Sequence, residues 1–228
     1  MSLAERYRSV LANIEQSALA AGRSADEVKL IVVSKHHPAS LVEQLYELGQ
    51  ISFGENRDQE ASKKAIELRE LGLNLDWHFV GQLQTNKVKS VLSYASTIHS
   101  IDRPSLVSEL DKQLEKADKQ IDGFIELNLT NDSGRGGVMP SELLALVEQV
   151  LQVERINLLG VMAVAGLGED PAKEFGRAVQ LSEQLQSIVP AANQLSMGMS
   201  EDYEIAIALG ATHIRVGSAI TGPRPISA

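Results

Sequence analysis

A lysine stands where a buried strand is expected to end. Lys35 follows Ser34 and the apolar run of residues 30–33. Burial disfavours the charged ammonium, and a neutral amine can attack an aldehyde to form a Schiff base. The alternative is a lysine whose long stem carries the ammonium from the strand end to water. The residue types alone leave both interpretations open.

Two turns rich in glycine and serine lie late in the chain and could bind a phosphate. Gly198, Met199 and Ser200 precede a predicted helix, and Gly217 and Ser218 follow the last predicted strand. Glycine lets the backbone approach an anion, and a helix N-terminus offers free N–H groups. The alternative is that Ser200 only caps a helix and Gly217 only forms a turn.

Arg215 lies in the last predicted strand, between Ile214 and Val216. Strand alternation points its side chain to the face opposite those two neighbours. A guanidinium inside a protein needs a partner, because an unpaired buried charge is costly. A pyridine nitrogen could accept its hydrogen bond. An ion pair with an inward carboxylate would satisfy it equally well.

Other chemical patterns are weak or absent. The chain has no cysteine, which excludes disulfides, thiolate metal sites and cysteine nucleophiles. The glycine-rich residues 133–137 lack the Lys-Ser/Thr ending of a P-loop. No Ser/His/Asp triad can be assembled from spacing. We expect no metal site, because no ligand spacing appears among the five histidines, His36, His37, His78, His99 and His213.

Short apolar segments alternate with longer helical patterns along most of the chain, which predicts strands and helices in turn. The predicted strands are residues 28–34, 51–54, 77–80, 97–100, 121–128, 158–163, 194–197 and 213–216. The predicted helices begin near Pro38, Arg57, Thr85, Pro104, Pro140, Pro171 and Glu201. Several prolines suit a first helical turn, and Asp170 is expected to cap the helix at Pro171.

Eight such units predict one α/β domain, a closed (β/α)8 barrel, also called a TIM barrel, over residues 1–228. Residues 1–22 form an additional N-terminal helix outside the repeat, with Ser2 and Glu5 as a capping box. The alternative fold is an open doubly wound sheet, which would leave edge strands. No G-x-G-x-x-G fingerprint follows the first strand to support it. In a closed barrel the first and last strands are neighbours, so Lys35 and residues 215–218 should converge.

Composition narrows the function classes. The chain has 228 residues, a net charge of −9 and a pI near 5.1. This acidic balance argues against nucleic-acid and anionic-membrane partners. The N-terminus has no apolar signal-peptide core, and no apolar run is long enough to span a membrane. We therefore expect a cytoplasmic protein, and as a working expectation a monomer.

Five stretches of the sequence resemble the pyridoxal 5′-phosphate (PLP) homeostasis protein family. The resemblance runs in unbroken order from about Lys29 to Gly222. The stretches are VVSK at residues 32–35, FGEN at 53–56 followed by Gln59 and Glu60, WHFVGQLQTNK at 77–87, LSMGMSED at 195–202 and IRVGSAI at 214–220. Their joint occurrence is highly specific.

The resemblance implies a barrel similar to the N-terminal domain of alanine racemase, with PLP as its cofactor. PLP would form a Schiff base on Lys35, contact Arg215 through the ring nitrogen, and place its phosphate near Ser200, Gly217 and Ser218. The remaining cofactor-binding residues, by motif match and strand-end position, would be Asn56, His78, Ser196 and Met199. The family is regarded as a carrier or reservoir of this vitamin B6 form that affects amino-acid and keto-acid balance. Candidate partners are PLP-dependent apo-enzymes.

Three departures from the family pattern stand out. His36 and His37 follow Lys35 where a Thr-Lys pair is common, Arg135 stands where a lysine is common, and Thr221 replaces an aromatic residue. Arg135 cannot form a Schiff base. The departures therefore put in doubt any role for second-site lysines in passing the cofactor on.

Two enzymatic alternatives to a non-catalytic carrier remain. A PLP-dependent amino-acid racemase would need the additional β domain of alanine racemases, whereas this sequence ends soon after its last predicted strand. A cofactor-free Schiff-base lyase would use the same lysine, but it would lack the yellow colour of bound PLP.

Overall fold

A computed structural model of the protein describes residues 1–130, 134–166 and 168–223. Within these residues, eight parallel strands pair in sequence order, and β1 also pairs with β8, which closes a barrel. The closed (β/α)8 prediction is confirmed, and the open sheet is not found. The strands are β1 Lys29–Val33, β2 Ser52–Glu55, β3 Asp76–Phe79, β4 Thr97–Ile101, β5 Ile121–Glu126, β6 Ile156–Met162, β7 Gln194–Ser196 and β8 His213–Val216.

Helices follow the strands around the outside. Those the structure describes are α1 Leu3–Ala20, α2 Ala39–Glu47, α3 Asp58–Glu70, α4 Val88–Val91, α5 Pro104–Ala117, α6 Leu143–Leu151, α7 Pro171–Gln186, α8 Tyr203–Ala208 and α9 Ser218–Thr221. Short 3₁₀ helices cover Ala25–Glu27, Thr85–Lys87 and Pro140–Glu142. None of the helices in the described ranges is long and apolar enough to cross a membrane.

The caps predicted from sequence are present. The Ser2 hydroxyl accepts a hydrogen bond from the Glu5 amide, and the Glu5 carboxylate accepts one from the Ser2 amide. The Asp170 carboxylate accepts a bond from the Ala172 amide at the start of α7. These side chains satisfy N–H groups that have no partner inside the first turn of a helix.

Three helix starts differ from the sequence prediction. The segments expected to become α-helical at Thr85 and Pro140 first make 3₁₀ turns, so that α4 begins at Val88 and α6 at Leu143. The helix expected near Glu201 begins at Tyr203, because Met199 to Asp202 form a turn in which the Asp202 carboxylate accepts a bond from the Met199 amide. Strand propensity and helical period do not resolve such turns.

The helix α1 packs against the last elements of the chain. The Arg6 guanidinium donates to the carbonyl of Ile220 at 2.7 Å, and the Asn13 amide donates to the Tyr203 hydroxyl at 3.2 Å. Barrel closure places β1 beside β8, since Ile31 of β1 pairs in register with Arg215 of β8. The end of β1 and the end of β8 therefore meet at the carboxyl end of the barrel.

Candidate functional site

A cavity of about 480 Å³ opens at the carboxyl ends of the strands. This volume lies within the range of small-molecule sites. It is lined by Val33, Lys35, His36, His37, Asn56, Val80, Gly81, Val164, Met199, Ser200, Glu201, Asp202, Arg215, Gly217, Ser218, Thr221 and Gly222. Seven of the nine residues predicted to bind the cofactor are among them, and the two that are not are His78 and Ser196.

Lys35 is half-buried two residues beyond the end of β1. The next residue, His36, has φ of +65°, in the left-handed region that a side chain with a Cβ rarely adopts. Its amide donates to the Glu60 carboxylate at 3.3 Å, which holds this turn against α3. The backbone at Lys35 is thus anchored on both sides, by β1 before it and by this contact after it.

A buried ion pair lies directly beneath Lys35. The Lys64 ammonium lies 2.5 Å from the Glu55 carboxylate and 2.9 Å from the Ser34 carbonyl oxygen, and the Ser34 hydroxyl donates to Glu55 at 2.7 Å. The contacts join α3 to the ends of β1 and β2. Lys64 is therefore committed to structural partners and does not reach the cavity lining. This pair was not predicted from the sequence, although Glu55 lies in the FGEN motif at residues 53–56.

The phosphate-binding prediction concerned two turns, and the structure brings them together. The Ser200 hydroxyl oxygen accepts bonds from the backbone amides of Gly217 at 3.2 Å and Ala219 at 3.3 Å. Gly198 has φ of +95°, and a Cβ there would lie 2.7 Å from the Cβ of Ala206. Glycine is therefore required for the turn that presents Ser200 to the end of β8.

Arg215 is buried and faces the cavity. Its guanidinium donates to the Ser196 hydroxyl at 2.6 Å and to the Ala163 carbonyl at 3.0 Å, which leaves further donors of the five that arginine carries. Burial lowers the pKa of Arg215 to about 10, against the opposing charges of Glu126 and Asp202. The group therefore remains a cation and a hydrogen-bond donor at neutral pH.

Asn56 contributes an unsatisfied acceptor to the cavity wall. Its side-chain oxygen is buried and has no hydrogen-bond partner among the described residues. A Cβ on Gly81 would lie 2.3 Å from the Asn56 carbonyl oxygen, so the two backbones are in close contact. A buried polar atom without a partner is uncommon in proteins, and a bound ligand or water would supply the missing donor.

His78 and Ser196 lie deeper, inside the barrel. Both are buried, His78 between Asp76 and His99, and Ser196 between His99 and Arg215. Ser196 contacts the cavity only through Arg215. Their roles as cofactor-binding residues stay predictions.

The three departures from the family pattern have defined positions. His36, His37 and Thr221 line the cavity, whereas the Arg135 guanidinium donates to the carbonyls of Val164 and Ala165, both at 3.2 Å. Of the glycine-rich residues 133–137, Ser133 lies outside the described ranges, as do residues 131 and 132 before it. Across those ranges, no group of His, Asp or Glu side chains is arranged to hold a metal ion.

Comparison with known protein families places residues 8–225 in a family described as "Alanine racemase, N-terminal domain". The chain is 38% identical to the pyridoxal phosphate homeostasis protein of Aquifex aeolicus, over 98% of this chain and 99% of the relative. It is 34% identical to the protein of that name from Escherichia coli K12, over 99% and 98%.

Solved structures are also similar to this chain. PipY of Synechococcus elongatus PCC7942, determined with PLP bound, is 35% identical and superposes with a TM-score of 0.85, over 97% of this chain and all of PipY. Alanine racemase from Corynebacterium glutamicum superposes with a TM-score of 0.67 at 16% identity, over 96% of this chain but 62% of the racemase. The racemase shares the barrel and extends well beyond it.

Proposed function

The chain belongs to the pyridoxal phosphate homeostasis proteins, and we propose that it binds PLP in the 480 Å³ cavity as a carrier and not as an enzyme. The observation that carries the proposal is the convergence of Lys35, Arg215 and the Ser200–Gly217 contact on one cavity. These groups match the aldehyde, the ring nitrogen and the phosphate of PLP. The PLP-bound structure of PipY supports the choice of ligand.

Each end of the ligand has a suitable partner. PLP supplies an aldehyde that a lysine amine captures covalently, and Lys35 is the lysine on the cavity wall. Arg215 would donate to the ring nitrogen. Ser200, Gly217 and Ser218 would hold the phosphate through hydroxyl and amide donors. Asn56 and Met199 would contact the remaining edge of the ring, and the unpartnered oxygen of Asn56 would gain a donor.

A carrier fits the wall of the cavity better than a racemase does. Racemisation needs a second acid/base group on the face opposite the lysine. None of the residues that line the described cavity is a tyrosine. Tyr7 and Tyr203 bond instead to Gln50 and Asn13. The described cavity lining therefore offers attachment and orientation of PLP, but no tyrosine that could serve as this second group.

The proposal extends to the domain organisation, oligomeric state, location and partners of the protein. We propose one domain over residues 1–228, a monomer in the cytoplasm, and PLP-dependent apo-enzymes as recipients of the cofactor. The acidic net charge of −9 disfavours nucleic acid and anionic membranes as partners.

The test is an absorbance spectrum of the purified protein, before and after reduction with borohydride, followed by peptide mapping. We expect a yellow protein whose reduced pyridoxyl group maps to Lys35. Lys35→Ala should lose the colour. Lys87→Ala is the matched control, since Lys87 lines a neighbouring cavity of about 240 Å³ at the same end of the barrel. A label on another lysine in wild-type protein would refute the assignment, and a colourless protein would refute PLP binding.

A further inference from the structure

A line of hydrogen bonds runs through the barrel interior from Asp76 to Arg215. The Asp76 carboxylate lies 2.9 Å from His78 Nε2, and His78 Nδ1 lies 2.9 Å from His99 Nε2. His99 Nδ1 lies 2.8 Å from the Ser196 hydroxyl, which in turn lies 2.6 Å from the Arg215 guanidinium. Asp76 is the first residue of β3, whereas Arg215 reaches the cavity at the opposite end of the barrel.

Between these two ends, two neutral histidines allow only one arrangement of protons. Burial alone would raise the pKa of Asp76, but hydrogen bonds from His78 and Ser96 and the charge of Lys29 hold it well below its usual range. Asp76 is therefore a carboxylate and can only accept, whereas Arg215 can only donate. With His78 neutral, every bond between them donates toward Asp76. A doubly protonated His78 would reverse the bonds from His78 to Ser196, and the proton of the buried Ser196 hydroxyl would then have no acceptor among the described residues.

The direction fixes both histidine tautomers. Arg215 donates to Ser196, and the Ser196 hydroxyl donates to Nδ1 of His99. His99 must then carry its proton on Nε2 and donate to Nδ1 of His78, which carries its own proton on Nε2 and donates to Asp76. Complete burial holds the pKa of His99 well below its usual range, with the charge of Arg215 adding to the effect, so this ring is neutral.

Aromatic packing favours the observed orientation of the His99 ring. His99 stacks on Phe124 with ring centroids 4.6 Å apart, and His213 packs edge-on against both rings at 6.1 and 5.1 Å. In this orientation Nδ1 faces Ser196 and Nε2 faces His78. Ser52, Ser96 and Lys29 hold the Asp76 carboxylate from the opposite side, at distances from 2.5 to 3.4 Å.

We infer that Asp76 is a positioning residue for Arg215, acting through His78, His99 and Ser196. The relay makes the Ser196 oxygen a permanent acceptor for one arm of the guanidinium. That arm is thereby fixed, and the donors not used by Ser196 and Ala163 are held toward the cavity. The link to the cofactor rests on the proposed function, whereas the tautomers do not depend on it.

The first test measures the histidine tautomers of the ligand-free protein at neutral pH by ¹⁵N NMR. Wild-type protein should show His78 and His99 both protonated on Nε2 and bare at Nδ1. Asp76→Ala removes the terminal acceptor, so both rings should populate the other tautomer. Asp122→Ala is the matched control, because Asp122 is also near the start of a strand and bonds to Asn157, outside the relay. Its spectrum should match wild type.

Ser196→Ala provides a second variant if Asp76→Ala fails to fold. It cuts the relay at the Arg215 end, so His78 should keep its proton on Nε2. A proton on Nδ1 of either His78 or His99 in wild-type protein would overturn the inference without any variant. So would an Asp76→Ala protein with both tautomers unchanged.

The second test uses PLP and an analogue with carbon in place of the ring nitrogen. Asp76→Ala should bind PLP about two- to tenfold more weakly than wild type does, because one oriented hydrogen bond is lost. Binding of the analogue should not change, because Arg215 has no ring nitrogen to meet. An equal loss for both ligands would mean that Asp76 is merely structural. Failure of wild-type protein to bind PLP would instead refute the proposed function and leave the tautomer result standing.

Discussion

The hydroxyl oxygen of Ser200 accepts a hydrogen bond from the amide of Gly217 at 3.2 Å, which joins the turn after β7 to the turn after β8. The Ala219 amide meets the same oxygen at 3.3 Å. An oxygen atom is thus already held by two backbone donors at the cavity edge. Because the Ser200 oxygen accepts both bonds, its own hydroxyl proton is left to donate to a phosphate oxygen, which supports the proposed phosphate position.

Ser200→Ala should weaken PLP binding by roughly one to two decades, because a hydrogen bond to a charged group contributes about 1.5–3 kcal/mol. Fluorescence or absorbance titration of ligand-free protein measures the change. Pyridoxal, which lacks the phosphate, should bind poorly to wild type and should not be affected by the substitution. Ser93→Ala, at an exposed serine, is the control. Equal affinity of wild type for pyridoxal and PLP would contradict the assignment.

Lys64→Met should destabilise the protein by about 3–5 kcal/mol, because it leaves the Glu55 carboxylate buried without its partner. Urea unfolding of the ligand-free protein gives the free energy. The double variant with Glu55→Gln should recover much of the loss, since no buried charge then remains. A double variant as unstable as the single one would show that packing of the lysine stem, and not the charge, dominates.

The protein should lose stability in acid through His213. Burial, with the charge of Lys29, lowers the pKa of His213 to about 3 from 6.5. As pH falls below about 6.5, the unfolded chain takes up a proton that the folded protein does not. Folded-state stability should therefore fall by about 1 kcal/mol per pH unit from this residue.

His213→Met should flatten the fall in unfolding free energy between about pH 6 and pH 4 by that amount per unit. The control is His36→Asn at the cavity mouth, where the ring is accessible to water and asparagine tolerates a positive φ. An unchanged slope in His213→Met would show that His213 does not carry this acid sensitivity.

Glu126 should have the opposite pH dependence. Burial and the charge of Asp102 raise its pKa to about 7, although Arg215 and Arg135 oppose the shift. Below its unfolded pKa the group contributes stability, and the contribution is lost as pH rises through 7. The unfolding free energy of Glu126→Gln, relative to that of wild type, should therefore rise by about 1–3 kcal/mol between pH 5 and pH 8. Urea unfolding at both pH values measures the gain, and a constant difference would contradict it.

Strand order and strand ends predicted much of the cavity lining. Lys35, Ser200 and Arg215 were found because barrel closure brings the ends of β1, β7 and β8 together. His78 and Ser196, in contrast, are not among the residues that line the cavity. His78 precedes the end of β3 by one residue and its ring points into the barrel, toward Asp76 at the strand start. A motif match gives a position along a strand but not the end toward which a side chain extends.

The buried pair of Lys64 and Glu55 could not be found in the same way. Lys64 lies in α3 among other charged residues, where a solvated side chain is the expected state. Only the docking of α3 against β1 and β2 turns it inward. Helical period shows which face of α3 is apolar, but it does not show that one lysine on it reaches a carboxylate nine residues earlier.

The holo-protein should not racemise amino acids at a useful rate, because no tyrosine lines the described cavity wall. A chiral assay of alanine, serine and glutamate over long incubation provides the measurement. Alanine racemase under the same conditions is the positive control. Multiple turnovers that disappear in Lys35→Ala would favour the racemase interpretation over the carrier.

Closure of the barrel by β1 and β8, with Ile31 in register with Arg215, bears on the protein's biosynthesis. Ribosomes synthesise Lys35 about 180 residues before the Gly217 turn. A nascent chain therefore carries the reactive amine before the groups that would orient and retain the cofactor exist. Stable capture of PLP would then report that β8 has docked against β1, so a cell would load only molecules whose barrel is closed.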